Sequence, residues 1–190
     1  MVKIGIITTI PYMDYEKKFD NIKILEYVEK TYNEYIEKLN FKKSDIVLVS
    51  NGYPWINHLP ISIFLNNEEN VEINEKYSGI ELCMPSDINN KTEQFVNTHE
   101  GRSLNNLHSK YKEKTLIDTL KDLSKISKEK EKQKNKKIKI KRGFKQANTF
   151  MVRNCDYVLV FGILEKPEEY ELWNKIMCNK QYYNIKDFFN

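Results

Sequence analysis

No run of apolar residues in the chain approaches the roughly 18 that a membrane-spanning helix needs. Nothing after Met1 has the long apolar core or small-residue cleavage site of a signal peptide, so Val2, Lys3, Ile4 and Gly5 read as a first strand. Cysteine is scarce: Cys83, Cys155 and Cys178 are odd in number and show no close pairing. That spacing offers neither a disulfide framework nor a metal site, and the expected setting is a reduced cytoplasm in which buried thiols are ordinary core residues. No metal and no cofactor is expected. Arginine is the other scarcity, with only Arg102, Arg142 and Arg153 among 31 basic residues. A chain that otherwise chooses Lys keeps Arg where the planar fork matters, in bidentate contact with phosphate or carboxylate. The plainer alternative is a structural ion pair, such as Arg153 with Asp156. All three fall beside the ends of predicted strands or in a long loop, which favours a shared polar site.

What is present fits one globular domain spanning residues 1–190. Hydrophobic residues make up 40% and charged residues 31%, enough to build a core in a soluble chain. The net charge of +4 is uneven: Lys121 to Arg142 holds eleven basic residues against Asp122, Glu129 and Glu131. Its Lys-rich stretch, residues 128–141, reads as a nucleic-acid-facing patch or as a solvated helix end and turn. The solvated reading is favoured, because no aromatic residues interleave with the lysines to stack bases. The abundance of Lys, Asn and Ile suggests an AT-rich genome, viral or from a low-GC bacterium.

Apolar runs and helical periodicities alternate. Lys3–Thr8, Asp45–Ser50, Gly79–Met84, Lys137–Lys141 and Tyr157–Phe161 read as strands. Helices are expected over Phe19–Leu39, Trp55–Leu65, Leu104–Tyr111, Thr115–Ser127, Phe144–Asn154 and Glu168–Cys178. In the first, Ile22, Leu25, Val28, Tyr32, Tyr35, Ile36 and Leu39 mark the buried face. Strand runs too continuous for a half-exposed sheet imply α/β architecture, a parallel sheet of about five strands with helices on both faces. Residues 86–101 read as a lid-like loop. The tail, residues 179–190, is too apolar to hang free and should pack against the domain or a second subunit.

The most telling stretch is Ser50-Asn51-Gly52-Tyr53-Pro54-Trp55-Ile56-Asn57-His58, directly after the second strand. A buried strand, small residues, a Gly and a Pro opening a helix form the architecture of an anion-binding loop, with free backbone N–H groups aimed at a phosphate.

In order and spacing this loop, Leu82-Cys83-Met84-Pro85, Arg102-Ser103-Leu104-Asn105-Asn106-Leu107-His108, Arg142-Gly143-Phe144 with Asn148, and Asn154–Phe161 resemble the SLOG superfamily. That superfamily is named for the Smf/DprA and Lonely Guy proteins; the likeness is to its YspA/YpsA-related branch and covers about Val2 to Gly162. The resemblance implies a Rossmann-like fold that commonly self-associates. It also implies a ligand that is a nucleotide, a nucleotide-derived signal or, as in DprA, single-stranded DNA. The glycine motifs are degenerate. Asn51 and Trp55 stand where the family has Gly, His58 stands at an acidic position, and Gly162-Ile163-Leu164 lacks the usual Gly-Thr turn. Thr8 and Thr9 keep only the hydroxyls of the family's Gly-Ser-Arg. The Pro-Gly-Gly-x-Gly-Thr-x-x-Glu motif of Lonely Guy hydrolases is missing, which argues against that activity.

The expected site lies where the loops Thr8–Tyr12, Ser50–His58, Pro85–Asp87 and Gly162–Leu164 converge at the C-terminal ends of the strands. Backbone N–H groups from Gly52 to Trp55 would hold a phosphate, with Arg102 or Arg153 neutralising it and Tyr12 or Tyr53 against a base. His58 and His108 are candidates for ligand contact or proton transfer, against structural hydrogen bonds; Trp55 is a stacking candidate or plain core. Asn105, Arg142, Asn148 and Pro85 join the set through the resemblance. No carboxylate spacing identifies a catalytic pair, and no catalytic residue is assigned. Three functions remain open: a nucleotide-binding module, a nucleotide-processing enzyme of the phosphoribohydrolase or transferase kind, and a nucleic-acid binder using 128–141.

Overall fold

The computed structural model describes residues 1–10, 21–70, 75–129 and 134–186. Six parallel strands form one sheet: β1 (Val2–Thr8), β2 (Ile46–Ser50), β3 (Gly79–Met84), β6 (Lys136–Ile140), β7 (Tyr157–Gly162) and β8 (Asn179–Asn184). Their order is β6-β3-β2-β1-β7-β8. Gly5 of β1 lies opposite Val49 on one side and Val158 on the other. The chain therefore builds outward from β1 through β2, β3 and β6, then returns to the other side of β1 with β7. The fold is α/β and Rossmann-like.

Side-chain alternation divides the core into two layers. Ile4, Ile6, Ile46, Leu48, Ile80, Leu82, Leu159 and Phe161 face a layer shared by α1 (Asn21–Leu39), α2 (Leu59–Asn70), α3 (His99–Thr115) and α4 (Thr119–Glu129). Ile7, Val49, Cys83, Val158 and Val160 face α5 (Phe144–Arg153) through Met151 and Val152. Gly5 permits that contact: a Cβ there would lie 2.8 Å from Cys155 Sγ.

Several expectations need correction. The buried stripe of α1 is Ile24, Val28, Tyr32 and Ile36, while Ile22 is 57% exposed. The i, i+4 ladder wins, and Leu25, Tyr35 and Leu39 flank it. Trp55–His58 is a 3₁₀ turn, and the α-helix begins at Leu59. Leu116, with φ of 63°, separates α3 from α4. The expected lid carries a hairpin of β4 (Ile88–Asn89) and β5 (Gln94–Phe95) with Ile88 and Phe95 buried. The Asn105 amide fastens Phe95 at its N–H and C=O, 2.9 and 3.0 Å away, and Thr98 caps α3 by accepting from Gly101 N at 3.0 Å. No helix spans Glu168–Cys178. Two short 3₁₀ turns, Pro167–Glu169 and Trp173–Lys175, stand there instead, and Leu172 and Ile176, whose i, i+4 spacing mimics a helix, flank the second and bury against the core. The Lys180 ammonium donates to the carbonyls of Trp173 and Ile176 at 3.0 and 3.4 Å, taking acceptors that a helix would use internally. The tail packs on the domain as β8, the sixth strand, with Tyr183 stacked on Phe161 at 5.1 Å and Ile185 fully buried. Among the described residues no helix is long and apolar enough to cross a membrane.

Candidate functional site

The order in which strands are added reverses between β1 and β7, and open α/β sheets form a crevice above the C-terminal ends of their strands at such a reversal point. A cleft of about 250 Å³ lies there. Ile7, Thr8 and Ile10 come from the end of β1, and Asn51, Tyr53, Pro54, Trp55 and Asn57 from the loop after β2. Leu107 of α3, Asn148 of α5, Tyr170 and Leu172 complete the wall.

Local hydrogen bonds set the shape of this loop. Ser50 Oγ accepts from Gly52 N at 3.1 Å and donates to Asn57 O at 2.7 Å. Asn51 Oδ1 accepts from Tyr53 N at 3.1 Å, and its amide nitrogen donates to Asn148 Oδ1 at 3.1 Å. Asn57 Oδ1 accepts from Thr8 N at 3.3 Å, tying β1 to the loop. Trp55 is held at φ of 60°, a conformation few bulky residues adopt and one found mainly where surrounding structure enforces it. Its ring packs edge-on against Tyr111 at 5.0 Å.

These bonds correct the phosphate-cradle expectation. The N–H groups of Gly52 and Tyr53 are already engaged, and Pro54 has none. No arginine lines the cleft among the described residues. Arg102 is exposed and donates to Asn97 Oδ1 at 3.0 Å; Arg142 is exposed after β6, and Arg153 lies on the outer face of α5. Arg153 does not pair with Asp156, whose carboxylate instead accepts from Lys3 N at 2.8 Å.

Of the expected residues, Thr8, Asn51, Tyr53, Pro54, Trp55 and Asn148 converge on the cleft. Ser50 and Gly52 brace it from behind. Thr9 and Gly162 meet at the β1–β7 exit, where Thr9 N donates to Phe161 O at 2.9 Å. Pro85 and Asn105 stand apart from it, and Tyr12 lies outside the described residues. The two histidines are structural neighbours of the loop. His108 is buried, with Nε2 3.0 Å from Gly52 O and Nδ1 2.6 Å from Thr119 Oγ1. Burial, helped by His58, holds its pKa down to about 3, so the ring is neutral. His58 is buried with Nε2 3.0 Å from Asp122 Oδ2.

Ile7, Ile10, Asn57, Leu107, Tyr170 and Leu172 were missed as lining. Asn57 had a readable signal, an amide seven positions past the strand end; Tyr170 and Leu172 were hidden in the misread helix.

The resulting surface is uncharged. Burial raises the pKa of Tyr53, with Tyr170 adding to it and Asn148 opposing; burial raises that of Tyr170 also. Both phenols stay protonated as neutral donors. The Tyr53 hydroxyl, tucked beside Asn148 and Tyr170, finds no hydrogen-bond partner of good geometry among the described residues. Three amides, a threonine and aromatic rings suit a flat, polar, uncharged group. Among the described residues no three His, Cys, Asp or Glu side chains gather to hold a metal ion.

No family model matches the chain. No solved structure matches it. An uncharacterized protein of Acanthamoeba polyphaga mimivirus is 31% identical over 160 residues, spanning 83% of this chain and 79% of that protein.

Proposed function

The chain belongs to one family with that mimivirus protein, and for it we propose binding of a nucleotide or nucleotide-derived ligand through its uncharged, base-bearing end. One observation carries this: the cleft at the sheet's reversal point is lined by Asn51, Asn57 and Asn148 beside Tyr53 and Trp55, with no charged side chain among the described lining residues. Amides read the donor and acceptor edge of a base, and aromatic rings cover its face. At about 250 Å³ the cleft is small for a whole ligand, so a phosphate would stay outside its mouth. The likeness to the SLOG superfamily supports the same ligand class. A phosphoribohydrolase finds less support, since the described lining offers no carboxylate, imidazole or ammonium for proton transfer.

The test is calorimetry against a panel of nucleosides and their monophosphates, guided by mass spectrometry of molecules that co-purify. Asn148→Leu, which keeps bulk and removes the amide, should weaken nucleoside and nucleotide alike by about tenfold, the loss of roughly one hydrogen bond. Arg102→Ala should leave both unchanged. Affinity that tracks Arg102, or depends wholly on phosphate, would refute base recognition. Sedimentation velocity on the full chain tests the self-association that the resemblance implies.

A further inference from the structure

We infer that the groove between β6 and α5 is a binding surface for single-stranded nucleic acid, separate from the cleft. Folding redistributes the basic surplus of the sequence. Lys125 pairs with Glu69 and Lys128 with Glu93, and Lys136 is buried between Glu68 and Glu129. Those cations are neutralised on the α4 side.

Among the described residues, further cations without a carboxylate partner lie on the opposite face of the sheet. Lys137, Lys139 and Lys141 alternate onto the α5 side of β6. Lys141, Lys145, Arg153 and Lys175 line a groove of about 400 Å³ that also contains Phe150. Lys139 is engaged by Glu81 at 2.5 Å, and Glu171 bridges Lys145 and Lys175 at 2.7 and 2.8 Å. Lys137, Lys141, Arg142 and Arg153 meet no carboxylate among the described residues.

Phe150 decides the class of partner. Its half-buried ring has the Lys141 ammonium 4.4 Å and the Lys139 ammonium 5.2 Å from its centroid. Read as sequence, the basic segment lacks an aromatic; the fold supplies one from α5. Cations flanking an aromatic ring form the combination that tracks a phosphate backbone while a base stacks. An acidic peptide would satisfy the cations but leave the ring unused. The groove also borders an edge strand: among the described residues β6 pairs with β3 alone, and no described strand closes it on the outer side.

Fluorescence anisotropy with an oligothymidylate of about 15 nucleotides tests this on the full chain, between about 50 and 200 mM salt. Lys141→Glu with Arg153→Glu should weaken binding at least about tenfold at the lower salt and flatten the log–log salt slope by about 1.4, from two lost phosphate contacts. Phe150→Leu, which preserves packing, should weaken binding about fivefold or more and leave the slope unchanged. Lys128→Glu on the α4 side should change neither. The inference fails if the oligonucleotide does not bind, if the double variant binds normally, or if Lys128→Glu is equally damaging. It fails too if polyglutamate of equal charge binds more tightly at the same residues, which would mark an acidic protein partner.

Discussion

Acid should loosen the cleft loop through a single side chain. His108 is 1% exposed and joins Gly52 O to Thr119 Oγ1. A carbonyl only accepts, so Nε2 carries the proton and Nδ1 accepts from the threonine hydroxyl. A second proton would have to enter on Nδ1, inside a dry site and against that bond. Burial first, then the neighbouring His58, depresses the pKa to about 3 from 6.5; Gly52 O and Asp118 oppose more weakly. Because the folded value lies below the unfolded one, this stabilisation is full above about pH 6.5 and is lost as pH falls toward 3. At pH 5 the unfolded chain holds a proton that the folded chain refuses, and roughly 1.5 units at 1.36 kcal/mol each amounts to about 2 kcal/mol. Urea unfolding at pH 7, 6 and 5 reads this directly. His108→Gln keeps a donor for Gly52 and should start about 1 kcal/mol less stable at pH 7. Its further loss down to pH 5 should be about 2 kcal/mol smaller than that of the natural chain. If the two lose stability in parallel, His108 is not the neutral buried bridge described.

Two other perturbations bear on the frame. Lys136, whose side chain is fully buried against Glu68 and Glu129, should be destabilising when changed to Met, by about 3 kcal/mol in chemical denaturation, because two carboxylates lose their shared cation. Adding Glu68→Gln and Glu129→Gln should recover most of that; no recovery would show that the stem, not the charge, matters. Removing residues 179–190 deletes β8, uncovers Phe161 and opens the edge of β7. Thermal melting with light scattering should show aggregation or a lost cooperative transition, and a melting point within about 4 °C of the full chain would contradict the pairing.

Much of the frame was legible because burial leaves continuous marks. Ile46-Val47-Leu48-Val49 and Tyr157-Val158-Leu159-Val160-Phe161, short and rich in β-branched residues, read as strands covered on both faces. The loop after β2 lines the cleft, but the expected phosphate cradle overlooked how the loop bonds to itself. Ser-Asn-Gly reads as a helix-opening phosphate loop, but Ser and Asn also bond their own backbone two residues on. Here that local competition consumed the N–H groups of Gly52 and Tyr53. Lys136 falls in the 128–141 stretch read as a solvated helix end and turn; its buried position depends on Glu68 of α2 and Glu129 of α4, which the fold brings to it. The arginines misled for a different reason. Scarcity suggested a common purpose, whereas Arg102 and Arg153 end on separate surfaces, and residue type alone carries no direction in space.

The central place of β1 also sets how the chain must assemble. Residue 5 pairs with residue 49 on one side and with residue 158 on the other, so the middle of the sheet joins segments at nearly opposite ends of the described chain. Closing a loop of that length is unfavourable until the contacts it permits have formed, and domains dominated by such pairings fold slowly. Until β7 arrives, β1 presents an unpaired apolar edge, which β7 of a second copy fits equally well. The same register that places the cleft at the sheet's reversal point therefore makes strand exchange between copies the natural failure of folding.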